Sequence, residues 1–268
     1  MNDITNRNDV VAYFNKYGYQ DLIAGSTTID RPVFHYTTIS TLLTILKNKQ
    51  LRFSNRLYLN DYSEGQYVLD ICTQNIDDIW PESCRYDKEC FTKELSTVSE
   101  RLRHKLFAIY QLSLSTDGDN LSMWNYYAKG DGANIRFSLP KLVEYFASQF
   151  SPEAQWPVGY LHGPTIYDRD KQIEILRKIL RDFSESTPQI DEWYLFTSWA
   201  ILYVGTFFKH QGFRNECEYR IAFNPFFDPY KPEQCLTIRS NIREEPYYVN
   251  IYQKGNMLVP YIDVDFDA

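Results

Sequence analysis

Segments whose apolar residues recur at helical spacing fill the first and middle parts of this chain, while short β-branched and aromatic runs are scattered and then gather in the last third. That order excludes the regular strand–helix alternation of a parallel α/β protein and points to an α+β fold: a mixed or antiparallel sheet core with surrounding helices. Helical spacing appears at Val10, Val11, Phe14 and Tyr17, and again at Ile39, Leu42, Leu43 and Leu46 after a Thr37-Thr38 cap. Asp61-Tyr-Ser-Glu64 has the form of a capping box and opens a helix through Tyr67, Val68 and Ile71. Further helices are expected at 94–106, at 140–150 with proline in the first turn, and at 171–183. Trp193, Phe196, Trp199, Ala200, Tyr203 and Phe207 follow the same period and predict a mostly buried core helix. At 193–208 this stretch is shorter than the ~20 residues a membrane span needs.

Strands are expected at 51–54, 107–115, 134–138, 218–223, 235–238 and 247–251. Ser151 to Pro164, with three prolines and two glycines, reads as a loop or an insertion. Without a repeat or a long linker, the chain is expected to form one domain over 1–268, a helical extension over 1–30 preceding a core over 31–268.

With 44% hydrophobic and 24% charged residues the chain falls among ordinary globular proteins. Its net charge of −7 lacks the basic footprint of a protein that grips nucleic acid through phosphates. A local run at Lys171, Arg177, Lys178 and Arg181 reads as a solvated helix face. The five cysteines form no Cys-x-x-Cys pair and no zinc spacing with histidine, which favours reduced thiols and no metal site. Met1 to Asn8 carry no apolar signal region, so a cytoplasmic, membrane-free protein is expected. The 22 Tyr and 17 Phe are unusual; much of the Tyr is interleaved with charges, where rings line the rim of a core or stack on a flat ligand.

Four polar segments interrupt apolar surroundings. His35, Tyr36 and Thr37 stand at a strand end before a helix, where an imidazole meets a ribose hydroxyl or simply bonds backbone. Asn60 and Asp61 with Glu64 are accounted for by helix capping alone. Leu112 to Asn120 is a strand running into an acidic turn, followed by a short aromatic helix in which Ser122, Trp124 and Tyr127 form either a stacking wall or core packing. Finally, Glu216 and Glu218 lie at strand period with Arg220 next on that face, either as a structural ion-pair ladder or as a catalytic carboxylate with its counter-ion.

In order, His35-Tyr36-Thr37 with Ile45-Leu46, Leu59-Asn60-Asp61 with Glu64, Leu121-Ser122-Met-Trp124 with Tyr127, and Phe213-x-x-Glu216-x-Glu218-Tyr219-Arg220 resemble the bacterial domain-of-unknown-function family 2971, over roughly Phe34 to Tyr261. That name implies no activity. His35-Tyr36-Thr37 followed by Leu42-Leu43-x-Ile45-Leu46 is, more distantly, similar to the opening of DNA-targeting ADP-ribosyltransferases. This second resemblance implies a split sheet and NAD as substrate. It implies that His35 meets a ribose, Tyr127 or Trp124 stacks on nicotinamide, and Glu218, with Glu216 competing for the role, is the catalytic carboxylate. Tyr36, Thr37, Asn60, Ser122 and Arg220 would complete the nucleotide site. A carboxylate beside the ribose stabilises the oxocarbenium-like state through which the nicotinamide bond breaks. The expected ligand is a small nucleotide, the acceptor a nucleic acid or a protein, and the setting phage defence or a toxin system. Two other readings stay open: a non-catalytic nucleotide- or ligand-binding module of a defence system, and a metal-dependent nuclease using Asp61, Asp117 or Asp119 with Glu216 or Glu218 around magnesium.

Overall fold

The computed structural model describes residues 32–59, 64–103, 109–129, 131–149, 158–186, 190–225, 237–238 and 246–266. They fall into two compact units. One holds the described residues within 60–107 and 166–211, the other those within 26–59, 108–165 and 212–268. The expected extension over 1–30 and the capping residues Asn60 and Asp61 lie outside the described residues.

The sheet unit contains β1 (Pro32–Thr37), α1 (Ile39–Asn48) and β2 (Gln50–Asn55) in immediate succession. Thr38 caps α1, its hydroxyl accepting from the Thr41 amide, and Lys49 turns the chain out of the helix with φ 50°. The helical unit begins with α2 (Glu64–Gln74), α3 (Ile76–Ile79) and α4 (Lys88–Arg103). The chain returns to the sheet with β3 (Tyr110–Ser115), the short α5 (Leu121–Tyr126), β4 (Ala133–Ser138), α6 (Leu139–Gln149) and β5 (Val158–Pro164). The helical unit is completed by α7 (Arg169–Ser186) and α8 (Ile190–Gly205). A 3-10 turn over Gln211–Glu216 leads into β6 (Glu218–Pro225), and β7 (Thr237–Ile238), β8 (Tyr247–Tyr248), β9 (Asn250–Lys254) and β10 (Met257–Asp265) finish the chain.

The fold is α+β, as the distribution of periodicities requires. Among the described residues eight strands form one sheet in which every pairing is antiparallel, in the order β4-β1-β3-β2-β10-β9, with β6 on the other edge of β3 and β5 beyond it. β3 pairs with β6 along its whole length, from Tyr110↔Phe223 to Ser115↔Glu218. Its opposite edge is divided. β2 takes Tyr110 and Gln111, whereas β1 takes Ser115. Among the described residues, Leu112, Ser113 and Leu114 have no strand partner on that edge, so the sheet branches there.

Residues opposite one another in an antiparallel pair share a face, and the registers therefore sort the sheet. Val33, Leu112, Leu114, Tyr219, Ile221, Phe223, Leu51, Phe53, Ile262 and Val264 make the apolar face, packed with Leu142 and Phe146 of α6. Tyr36, Gln111, Ser113, Ser115, Glu218 and Arg220 project from the other face.

Two expectations are corrected. The Pro- and Gly-bearing stretch before Thr165 ends in β5, an edge strand paired in full with β6. Edge position is where a strand tolerates a proline such as Pro164, and among the described residues β5 has no second strand neighbour that would need the missing amide hydrogen. The last strand, β10, was not anticipated from Met257 onward; it pairs with both β2 and β9.

In the helical unit α8 is buried nearly all round, as its composition predicts, with Trp193, Ala200, Ile201 and Val204 fully enclosed. Trp193 stacks on Tyr86 with centroids 4.4 Å apart and meets Phe91 at 5.2 Å. At its last residue, Gly205, an added Cβ would lie 2.3 Å from Cγ1 of Val68 on α2. Gly205→Ala should therefore force α2 and α8 apart and lower stability by about 1–3 kcal/mol despite alanine's better helix propensity, seen as a lower urea midpoint at unchanged m-value.

Candidate functional site

The polar face of the sheet unit gathers most of the candidate residues around the loop that leaves β3. After Ser115 the chain makes a nested Asx turn: the Asp117 amide donates to Ser115 Oγ at 3.2 Å, and the Asp119 amide donates to Asp117 Oδ1 at 3.1 Å. Asn120 then caps α5, its Oδ1 accepting from the amides of Ser122 (3.0 Å) and Met123 (3.2 Å). Short polar side chains that bond backbone two or three residues on build such loops readily. Tyr36 reaches across from β1 to lock the loop: its hydroxyl donates to the Asp117 carbonyl at 2.8 Å and accepts from the Asn120 amide at 2.9 Å. Burial, then the nearby Asp117, Asp119 and Cys217, raises the Tyr36 pKa, a rise partly offset by the Asn120 bond, and the phenol stays protonated. Under the loop, Gly118 sits so close to the Phe34 ring that an added Cβ would come within 2.7 Å of it.

Trp124 stands on this foundation. Its Nε1–H donates to Asp119 Oδ1 at 3.0 Å, and its ring meets Tyr36 edge-on, with centroids 5.1 Å apart. The indole is half-buried, while its neighbours on α5, Leu121 and Tyr126, are 75% and 72% exposed. On the other side, Asn120 Nδ2 donates to the Asn215 carbonyl and Ser115 Oγ to the Glu216 carbonyl at 2.9 Å. These bonds stitch the 3-10 turn to the loop, so half-exposed Glu216 lies beside the same surface.

Glu216 and Glu218 do not share a strand face. Glu216 ends the 3-10 turn, and Cys217, with φ 48°, separates it from β6, which begins at Glu218. A left-handed residue breaks the two-residue alternation on which the expectation rested. Glu218 and Arg220 do share a face and form an ion pair, Nη2 to Oε2 at 2.8 Å, in which the acid is 5% and the guanidinium 1% exposed. Gly163 lies opposite Arg220 on β5.

His35 is not brought to this surface. Phe34, Ser115 and Glu218 stand opposite one another across β1, β3 and β6, so His35, one residue on, projects from the apolar face. Its ring hydrogen-bonds the backbone of Ser113, and burial depresses its pKa, partly offset by that bond, so it is neutral near pH 7. Thr37 is buried on the same side as His35. Tyr127 closes α5, its amide donating to the Met123 carbonyl at 3.0 Å. Asn60 lies outside the described residues. The structure thus unites Tyr36, Ser122, Trp124 and Glu216 around one loop, with Glu218 and Arg220 on the same sheet face. Sequence reasoning passed over Asn120, the hub that ties loop to turn; an Asx pattern, Asp-Gly-Asp-Asn, placed just before a short helix was the available signal.

For a nuclease the acids would have to converge. Among the described residues no group of three His, Cys, Asp or Glu is placed to hold a metal ion, and none of their helices is long and apolar enough to cross a membrane.

Residues 123–221 match the model of a family described as protein of unknown function, DUF2971. The matched stretch runs from within α5 to β6 and includes Trp124, Glu216, Glu218 and Arg220, while His35 and Tyr36 precede it. It supports the family resemblance over that stretch. Neither a curated protein nor a solved structure matches the chain.

Two predictions follow from burial. Glu218→Ala would remove the carboxylate paired with a buried guanidinium and should cost about 3–5 kcal/mol of stability, a loss visible in urea unfolding that a carboxylate needed only for chemistry would not produce. On the apolar face, His162 Nδ1 lies 2.7 Å from the Tyr219 hydroxyl, and burial lowers the His162 pKa to about 4. Because the folded value lies below the unfolded 6.5, the unfolded chain binds more protons in between. The neutral histidine's contribution is therefore complete above pH 6.5 and disappears as pH falls toward 4. Between pH 7.5 and 5 wild type should lose about 2 kcal/mol more than His162→Gln, measured by urea unfolding at both pH values.

Proposed function

We propose that this chain binds a nucleotide of the NAD class at the Tyr36–Trp124 surface and uses it as an ADP-ribosyltransferase-like protein, with Glu216 as the carboxylate that meets the ribose. The observation that carries the reading is the immobilised, half-exposed indole. Trp124 is held at its Nε1 by Asp119 and at its ring by Tyr36, so it offers a planar face with little ordering left to lose when a flat ring stacks on it. The branching of the sheet at β3 gives a further parallel with the fold that the opening sequence resembles.

The roles within this reading follow burial. Glu218 is committed to Arg220 and serves as the floor of the polar face. Glu216 borders the loop that carries Trp124. In the transfer, the bond between the ribose anomeric carbon and the nicotinamide nitrogen breaks, and both electrons leave on nicotinamide. The acceptor's nucleophile then bonds that carbon and releases its proton. A carboxylate near the ribose stabilises the positive charge that develops between those events. His35 stands outside this arrangement, because it faces the other side of the sheet.

Titrating the protein with NAD while following tryptophan fluorescence and calorimetric heat tests the reading. Trp124→Ala should weaken binding at least about tenfold, the scale of one lost stacking contact. Released nicotinamide, abolished in Glu216→Gln with NAD affinity retained, is the expected mark of catalysis. Binding without release would leave a nucleotide-binding module. Absence of binding by wild-type protein would overturn the proposal.

A further inference from the structure

The turn around Trp124 contains more than a platform. Its two stitched loops, 117–124 and 211–216, carry Asp117, Asp119 and Glu216 against the single guanidinium of Arg214. One of those acids touches the indole itself: Asp119 Oδ1 accepts the Nε1–H at 3.0 Å. Asp119 is exposed, its amide donates to Asp117 Oδ1 at 3.1 Å, and the indole N–H holds its carboxylate at the edge of the ring. A carboxylate accepting from the indole N–H adds negative charge to an aromatic system whose face is already negative.

A ring stacked on Trp124 therefore meets an aromatic face with an anion at its border. Neutral rings gain little from that border. A planar cation gains twice, from the indole quadrupole and from the carboxylate. Resting on the NAD-class reading above, we infer that Asp119 is a specificity-determining residue that makes the Trp124 surface select the oxidised, positively charged nicotinamide ring over its neutral dihydro form.

Oxidised and reduced NAD supply the comparison, since they differ at the nicotinamide ring and share the rest of the molecule. Wild-type protein should bind NAD about tenfold more tightly than NADH, in keeping with one partly desolvated cation–π contact and its neighbouring anion. Asp119→Asn keeps an oxygen that can accept the indole N–H while removing the charge. It should bring the ratio of the two affinities to within about twofold of unity, with NADH affinity little changed. Asp131→Asn removes an exposed charge of the same sign outside the two loops and should leave the ratio as it is, which separates a local effect from the protein's general negative field. Raising salt should narrow the wild-type ratio more than that of Asp119→Asn.

The inference fails if Asp119→Asn preserves the wild-type ratio, or if Asp131→Asn lowers it equally. It also fails if wild-type protein binds both forms alike, even though NAD-class binding then stands. If wild type binds neither form, the functional reading itself is overturned and the selectivity goes with it. Circular dichroism and a urea midpoint of Asp119→Asn unchanged from wild type establish that the fold carrying the platform is intact when the ratio is measured.

Discussion

A β-strand has two hydrogen-bonding edges, and β3 serves three neighbours with them. β6 occupies one edge in full, so β1 and β2 must divide the other, one at each end. The strands diverge because each continues into its own sheet branch, β1 toward β4 and β2 toward β10. Between them Leu112 to Leu114 meet no strand on that edge among the described residues, and backbone groups withdrawn from water need other partners. His35 supplies one bond to that stretch through the Ser113 backbone. Its neutral ring suits the position, since a charged imidazole on the apolar face would have to be desolvated without a counter-ion. The histidine that looks most chemical in the sequence thus lies on the apolar face beside the branch.

The same strand sets up the opposite face. Ser113 and Ser115 stand across from Arg220 and Glu218, so β3 and β6 together form a polar strip where their other face is apolar. Burying an acid and a guanidinium becomes tolerable when each desolvated charge meets the other in good geometry, as here. That requirement assigns the two glutamates of the Glu-Cys-Glu segment to different tasks. The one inside the strand pairs with Arg220. The other, displaced from the strand by the left-handed Cys217, remains at the surface beside the aromatic loop.

Much of this was legible. The α+β class, the Thr38 cap, the buried aromatic helix and the short aromatic helix after an acidic turn all came from local patterns that dictate local structure. What escaped depends on neighbours distant in sequence. β5 is a strand because β6 offers it an edge, and its prolines and glycines hide that fact from any propensity argument. The face taken by His35 follows from the pairing of Phe34 with Ser115, 81 residues away, and no windowed reading contains that register. The broken alternation between Glu216 and Glu218 hinges on one backbone angle at Cys217, a residue whose side chain gives no hint of a left-handed conformation. Asn120 was overlooked because capping residues read as punctuation, whereas here the cap also ties two loops together.

A platform for a flat ring could have been built on a strand, where neighbouring side chains restrain it; here it rides on six residues of helix reached through a tight loop. Such a helix is too short to be stable alone, since nucleating a turn fixes several dihedrals for few bonds. Its order must come from outside. The Tyr36 hydroxyl supplies a donor and an acceptor to the loop, Asn134 Nδ2 donates to the Gly118 carbonyl at 2.7 Å, and Asn120 binds both the helix start and the facing turn. Each of these anchors is rooted in a strand of the sheet or in the turn that leads into one. The position of Trp124 is therefore set by the sheet, and a side chain placed in this way loses little further freedom on meeting a ligand.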